Sequence, residues 1–580
     1  MDDDHDALKV MVVGDSISHG LEGDWTWRYR IWQWFEEQRI PIRFVGPYTG
    51  TVSPERPRPP RPPRLVDDPP DPPPRLRTDG GYAAGVAGGF LANCAHFAAN
   101  GRQANEAKDL VAEQVATYQP DLCLVELGFN DLGWRRCGAI EVLGSMRTLV
   151  DQMRSAKPDV KLAIANIPQR TDLDGREDLP KSTALYNNML ERCIPYWSTA
   201  ASPIALVRFC ENYSCGGSNS DAAYDGLHPN ALGEYQLAKA FSETLVSSFS
   251  LGRTALTVPK HIPARPLPTP RNFRVVPTAA GIVATWDAVY GAYGYDLQHR
   301  FVGDYGWSRS HAGSNRHDWQ RLRRGQVVEC RVRCSGGDFL KSPWTRVASA
   351  AADPATAGPP VNIETHATAD GFSIAWDPPP PPFEGEIDRY GIVYFDGDQA
   401  GAYPCLVGAR GTRAEITGLI PGHRHYITME TWTTAGGGVP AAARAVMVGM
   451  GRPRTPTSVR ARALDSRTVE LSWPEVVGGA GYDIWVVLAE DVCRRLGVRG
   501  TPRLGPKVKP VLVDGGPAGG RIIRVVFTRE PTVWEWEYAV RAYNGNDLSG
   551  LSEWVSPPRL RGEDVSLAEG DSICVDIQYE

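Results

Sequence analysis

The chain has 580 residues, 62 lysines and arginines against 68 aspartates and glutamates for a net charge of −6, and 42% hydrophobic residues. That length exceeds what one hydrophobic core holds, so three to five domains are expected. A mildly acidic balance without large charge blocks argues against nucleic acid as a main partner. No run of eighteen apolar residues is present to span a membrane. The acidic start Met1-Asp-Asp-Asp-His-Asp6 lacks the basic and apolar regions of a secretory signal. A cytoplasmic location is therefore the default, with secretion by trimming or a non-standard route as the alternative. The 11 cysteines are odd in number and irregularly spaced, which suggests neither a disulfide framework nor zinc ligation. Cys210 and Cys215 could close a small loop in an oxidising compartment, and buried free thiols are the expected reading. No cofactor and no metal is expected.

Taken in order, Val10-Met-Val-Val13 reads as a short buried strand, broken by Gly14-Asp15-Ser16. A helix follows from about Asp24, with Trp27, Ile31, Trp34 and Phe35 on its core face and Trp25, Tyr29 and Trp32 on another, where one of them could line a substrate cleft. Ile42 to Gly46 is the next strand. Ser53 to Arg77 is dominated by proline, which lacks the N–H and fixes φ. It predicts an exposed polyproline-like insertion that forms neither helix nor ladder. Ala104 to Tyr118 is helical, Pro120 to Leu127 a buried strand, Ala139 to Ala156 a helix and Val160 to Ile167 a strand. Ser182 to Trp197 is a helix, Ile204 to Val207 a strand, and a last helix runs from Asn230 to Ser247. This alternation predicts βαβ units around a mostly parallel sheet, whose ligands bind beyond the carboxyl ends of the strands.

From about residue 250 the helical period vanishes. Thr257 to Pro270 is a semi-rigid, proline-rich and basic linker. Three segments then share one plan: a proline and an alternating strand, a strand ending in Trp286, Trp376 or Trp473, then Tyr295, Tyr390 or Tyr482. The repeat has domain size, and short strands around a buried tryptophan without a cysteine pair describe an immunoglobulin-like sandwich. These segments resemble fibronectin type III modules, notably at Leu419-Ile-Pro-Gly422 and Trp536 to Asn544, although Val328, His425 and Trp536 stand where that family keeps a corner tyrosine. The expected division is an α/β domain at 1–252 with the insertion at 53–77, a linker at 253–268, modules at 269–355, 358–451 and 453–562, and an acidic tail at 563–580. The third module carries an insertion around Val498 to Gly520.

The chemistry concentrates in the first domain. A serine at a strand-to-helix turn is lifted off the sheet edge, and a helix N-terminus favours developing negative charge. The tripeptide alone means little, since Gly570-Asp571-Ser572 repeats it in the tail without strand or helix. Asp225 and His228 sit three apart in one turn, so both can project into one crevice, the imidazole as base and the carboxylate as its orienter. Gly128-Phe-Asn130-Asp131 offers a side-chain amide, and Asn100-Gly101-Arg102 a glycine N–H, for a developing oxyanion.

Gly14-Asp15-Ser16, Gly101, Asn130 and Asp225-x-x-His228, in that order, resemble the four blocks of the SGNH (GDSL-type) hydrolases over residues 7 to 248. The resemblance implies a flavodoxin-like α/β/α domain with Ser16 as nucleophile, His228 as base and Asp225 as its orienter. It makes the Ser16 N–H, the Gly101 N–H and the Asn130 amide the oxyanion donors, with Asp15 and Asp131 bracing the site. Phe44-Val-Gly-Pro-Tyr48 and Gly128 to Trp134 are most similar to the carbohydrate-esterase branch. Three readings remain open: a serine esterase removing acyl, foremost acetyl, groups from a carbohydrate or small ester; a lipase or thioesterase with the same triad; and an adhesion or scaffold protein whose modules bind polysaccharide or protein.

Overall fold

The computed structural model describes residues 7–69, 72, 75–216, 221–505, 511–514, 521–530 and 532–560. The acidic tail, its Gly570-Asp571-Ser572 copy and much of the 498–520 insertion lie outside the described residues.

The first domain is built on the strands β1 (Leu8–Gly14), β2 (Ile42–Phe44), β3 (Phe97–Ala98), β4 (Leu122–Glu126), β5 (Lys161–Ala165) and β6 (Ile204–Val207). They pair in the order β2-β1-β4-β5-β6, all parallel, with β3 joined to the end of β1. Val10 to Val13 and Leu122 to Val125 are wholly buried, which is why both strands read as unbroken apolar runs. The chain leaves β1 first towards β2 and later returns to its other side as β4. That reversal opens a crevice between the carboxyl ends of β1 and β4.

The helix Thr26–Glu37 packs Trp27 flat on Phe241 of the last helix, Ala231–Phe249, at a ring separation of 4.6 Å. It starts at Thr26 rather than Asp24, and Thr26 itself sits at φ +67°, which breaks any helical run coming in from Asp24. The helix expected from Ser182 begins at Leu179; Pro180 fits its first turn, where a missing N–H costs nothing. Cys210 is a free thiol, and Cys215 Sγ donates to the Gln169 carbonyl at 3.0 Å.

Three sandwiches follow, each with its own apolar core around Trp286, Trp376 or Trp473. The first has seven antiparallel strands in a four-stranded and a three-stranded sheet, the arrangement of fibronectin type III modules. Each core tryptophan meets its expected tyrosine edge-on, 5.1 to 5.2 Å between centroids. In the third module the expectation that Trp536 replaces the corner tyrosine is corrected: Tyr538, near the start of the strand Trp536–Asn544, donates its hydroxyl to the Val533 carbonyl at 3.0 Å and is the corner tyrosine.

The proline-rich insertion is largely exposed and its described residues form neither helix nor ladder, as its composition requires. It makes one isolated parallel bridge, between Leu65 and Gly408 on the strand Cys405–Ala409 of the second module. The Val66 N–H donates to the Gly408 carbonyl at 3.0 Å, and Arg389 donates to the Pro63 carbonyl at 2.9 Å. Leu65, Val66 and Gly408 are not prolines, so a local break in the proline run frees the backbone to pair.

Candidate active site

β1 ends at Gly14, where the fold tolerates no side chain, since a Cβ would collide with Ser18 and approach the Glu126 carbonyl oxygen. Asp15 then accepts the Ile17 N–H at 2.9 Å and caps a four-residue helix, Ser16–His19. Ser16 is thereby held at the carboxyl end of β1, facing the crevice. On the opposite wall, Asp225 Oδ1 accepts the N–H groups of Leu227 (3.1 Å) and His228 (2.8 Å), closing a tight turn. Pro229 follows, and Asn230 caps the helix Ala231–Phe249 through the N–H groups of Leu232 and Gly233. The turn is thus tied to a helix end, and its side chains are fixed in direction.

The two walls meet. His228 Nε2 lies 2.8 Å from Ser16 Oγ, and His228 Nδ1 lies 2.7 Å from Asp225 Oδ2. Burial works to raise the Asp225 carboxyl, but its bonds to His228 and to the two backbone N–H groups outweigh it and hold the group below its ordinary value. An ionised Asp225 fixes the imidazole with Nδ1 protonated and Nε2 free to accept the serine proton. A small cavity of about 70 Å³ opens on this pair, lined by Ser16, Leu21, Val52, Asn100, Tyr224 and His228 among others.

Among the described residues neither the Ser16 N–H nor the Gly101 N–H donates to any acceptor. Gly101 has φ +77°, and a Cβ there would come within 2.9 Å of Trp134. The glycine lets that loop expose its amide. Asn130 follows β4 and is 5% exposed. Both its amide hydrogens are taken, by the Arg102 carbonyl at 3.0 Å and Asp15 Oδ2 at 3.2 Å. Asp131, fully buried, accepts the Ala104 and Asn105 N–H groups at 2.7 and 3.0 Å and so caps the helix Ala104–Tyr118. Asp15 and Asp131 therefore brace the loops around the crevice. Of the three aromatics on the second face of the first long helix, Tyr29 is buried and Trp32 packs on Phe90, leaving Trp25 at a cavity.

Three neighbours were not singled out from sequence. Glu126 closes β4, accepts the Ser18 hydroxyl at 2.7 Å and faces Asp15. Burial first, and the Asp15 charge second, push its carboxyl well above the usual range; burial likewise raises Asp15 to about 6. The pair holds a proton under the serine turn. The signal available was a carboxylate inside an apolar strand, which is costly unless it is neutralised. His19, held neutral with its pKa lowered to about 3 by burial, accepts the Asn100 N–H at 3.1 Å and steadies the Gly101 loop. Tyr224 lies almost parallel to the His228 ring, 17° and 5.5 Å apart, and nothing in its sequence setting marked it.

The profile of the GDSL-like Lipase/Acylhydrolase family matches residues 66–235, a span that takes in Gly101, Asn130, Asp225 and His228 and begins beyond Ser16. Among solved structures the chain is similar to a family 3 carbohydrate esterase from Talaromyces cellulolyticus: 21% identity, 42% of this chain, 98% of that one, TM-score 0.31. It is similar also to a two-domain fibronectin type III segment from chicken tenascin: 17% identity, 31% and 99% covered, TM-score 0.15. Roundabout homolog 2 of Homo sapiens is 24% identical over 172 residues, which are 29% of this chain and 12% of that protein. The chain thus spans only about an eighth of that relative's length. Within the first domain, residues 66–235 thus match the GDSL-like Lipase/Acylhydrolase family.

Proposed function

We propose that the first domain is a serine esterase that removes short acyl groups, foremost acetyl, from a carbohydrate ester through a covalent acyl-enzyme. The observation that carries this reading is the Ser16 Oγ–His228 Nε2–Asp225 relay, with contacts of 2.8 and 2.7 Å. Ser16 Oγ attacks the ester carbonyl while His228 Nε2 takes its proton, and Asp225 stabilises the imidazolium. His228 then passes that proton to the departing alcohol oxygen. Water, deprotonated by the same nitrogen, attacks the acyl-enzyme and releases the carboxylic acid.

The oxyanion is received by the open N–H groups of Ser16 and Gly101. Asn130 joins them by exchanging its 3.2 Å bond to Asp15 for one to the oxyanion. The cavity beside Ser16, about 70 Å³, favours a short acyl group over a fatty chain. The aromatic walls described next favour a sugar as the alcohol.

Hydrolysis of a 4-nitrophenyl series from acetate to decanoate by the wild type and Ser16→Ala tests the reading. Acetate-selective turnover, abolished by the substitution, is expected. Preference for long chains would reassign the domain as a lipase or thioesterase, and no turnover of any ester would refute the reading.

A further inference from the structure

The linker and the first module are not a tether at this end of the chain. Arg265 of the linker is inserted between the two domains. It pairs with Asp24, donates to the Gly291 carbonyl at 2.7 Å and lies over the Tyr293 ring at 4.4 Å. The Tyr293 hydroxyl donates to the same Asp24 at 2.7 Å, and the Tyr290 hydroxyl to the Tyr82 carbonyl at 2.6 Å. Asp338 of the module donates its N–H to the Tyr224 carbonyl at 2.6 Å. The Tyr293 ring rests on Tyr224 at 4.3 Å, and Tyr224 rests in turn on His228. A buried arginine–aspartate pair with additional hydrogen bonds fixes geometry between domains. The module is therefore one residue removed from the catalytic imidazole.

Beside this seam lies a cavity of about 490 Å³, walled by Trp25 and Tyr224 of the first domain and by Tyr290, Tyr293, Phe339 and Leu340 of the module. Its size and its aromatic lining with a few polar groups are those of a small-molecule site, and such sites favour domain junctions. Tyr224 lines both this cavity and the small one at Ser16. With the acyl group at Ser16 and the alcohol oxygen at His228 Nε2, Tyr224 gives the remainder of the alcohol a path to the larger cavity.

We propose that this cavity is the alcohol-side subsite of the enzyme, taking a neutral pyranose ring, so that the first module forms part of the substrate site. The assignment rests on the esterase reading and names where its sugar binds. The C–H faces of a pyranose are weakly positive and stack on the negative faces of aromatic rings. Its hydroxyls lie at the ring edge, where Asp221 and Asn230 border the same cavity. Phe339 is 80% exposed, an aromatic side chain offered to solvent at the rim that contributes nothing to a core.

Two measurements on the full chain test this. First, cellobiose is titrated into Ser16→Ala while tryptophan fluorescence or heat is followed. Saturable binding is expected, weakened about tenfold by adding Phe339→Ala. Secondly, kcat/KM is measured for glucose pentaacetate and for ethyl acetate, whose alcohol is too short to reach the cavity. The ratio of the two is expected to fall about tenfold in Phe339→Ala and in Trp25→Ala. Since Phe339 is exposed, its substitution leaves folding intact even where Trp25→Ala disturbs it. An unchanged ratio in Phe339→Ala with ethyl acetate still turned over, or the absence of cellobiose binding, would overturn the subsite while leaving the esterase standing. Cellobiose binding lost in Phe339→Ala without turnover of any ester would leave a sugar-binding cavity but refute the esterase reading and, with it, the alcohol-side assignment. Esters of long alcohols favoured over sugar esters, with that preference lost in Phe339→Ala, would make the cavity a hydrocarbon site and refute a sugar.

Discussion

Replacing Asp225 by asparagine separates orientation of the base from every other property of the site. Asp225 Oδ1 takes the backbone N–H groups of Leu227 and His228 at 3.1 and 2.8 Å, while Oδ2 faces His228 Nδ1 at 2.7 Å. An asparagine keeps its carbonyl oxygen on the two N–H groups, so its NH2 must face Nδ1. The imidazole then carries its proton on Nε2 and donates to Ser16 Oγ instead of accepting from it. Losing the correct tautomer in this way costs about 10³- to 10⁴-fold in kcat, or ~4 to 5 kcal/mol of barrier. The turn survives, so Tm is expected to stay within a few degrees of the wild type. The assay is steady-state hydrolysis of 4-nitrophenyl acetate together with thermal unfolding. A kcat within tenfold of the wild type at unchanged Tm would refute Asp225 as the residue that orients His228.

Three further outcomes are expected. Asn130→Ala removes the amide assigned to the oxyanion and lowers kcat about 10²- to 10³-fold with little change in KM; near-normal kcat with normal Tm would remove Asn130 from that role. Glu126→Gln tests the buried pair through pH. Burial raises the folded-state Glu126 carboxyl above its unfolded value near 4.5, so the wild type holds a proton that the unfolded chain releases. Its stability is full below that value and declines as pH rises towards the folded value. Glutamine cannot ionise, so Tm of the variant relative to the wild type should increase from pH 5 to pH 9. A difference that is flat or shrinks with pH would contradict a protonated Glu126. Gly101→Ala forces an L residue to φ +77° and its Cβ to within 2.9 Å of Trp134. About 1 to 2 kcal/mol of stability should be lost, with kcat falling as the Gly101 N–H is displaced, and both are checked by unfolding and kinetics on one preparation.

Much of the site was legible because its parts are local. Asp225 and His228 lie in one turn whose i, i+3 spacing puts both side chains on the crevice side, and Gly14-Asp15-Ser16 ends an apolar strand whose burial the hydropathy alone implied. The parallel sheet followed from strands alternating with helices, and the modules from a tryptophan repeating at domain spacing. Those patterns are short-range: hydrophobic period, proline and glycine chemistry, and capping are written in consecutive residues.

What the tertiary structure alone decided concerns residues far apart in sequence that meet because the sheet reverses its order and the chain folds back. The Ser16–His228 contact joins positions 212 apart. Glu126 acquires its meaning only where β4 lies beside β1 and brings its carboxyl under Asp15. The linker read as a spacer from its prolines, but Arg265 finds Asp24 across the junction. The proline insertion read as free, but Leu65 finds the edge of the second module. The sequence by itself determined the α/β domain, the repeated sandwiches and the local turns that carry Gly14-Asp15-Ser16 and Asp225-x-x-His228. That a sandwich module stands one tyrosine away from His228 was decided by packing between domains, which depends on complementary surfaces and has no period along the chain.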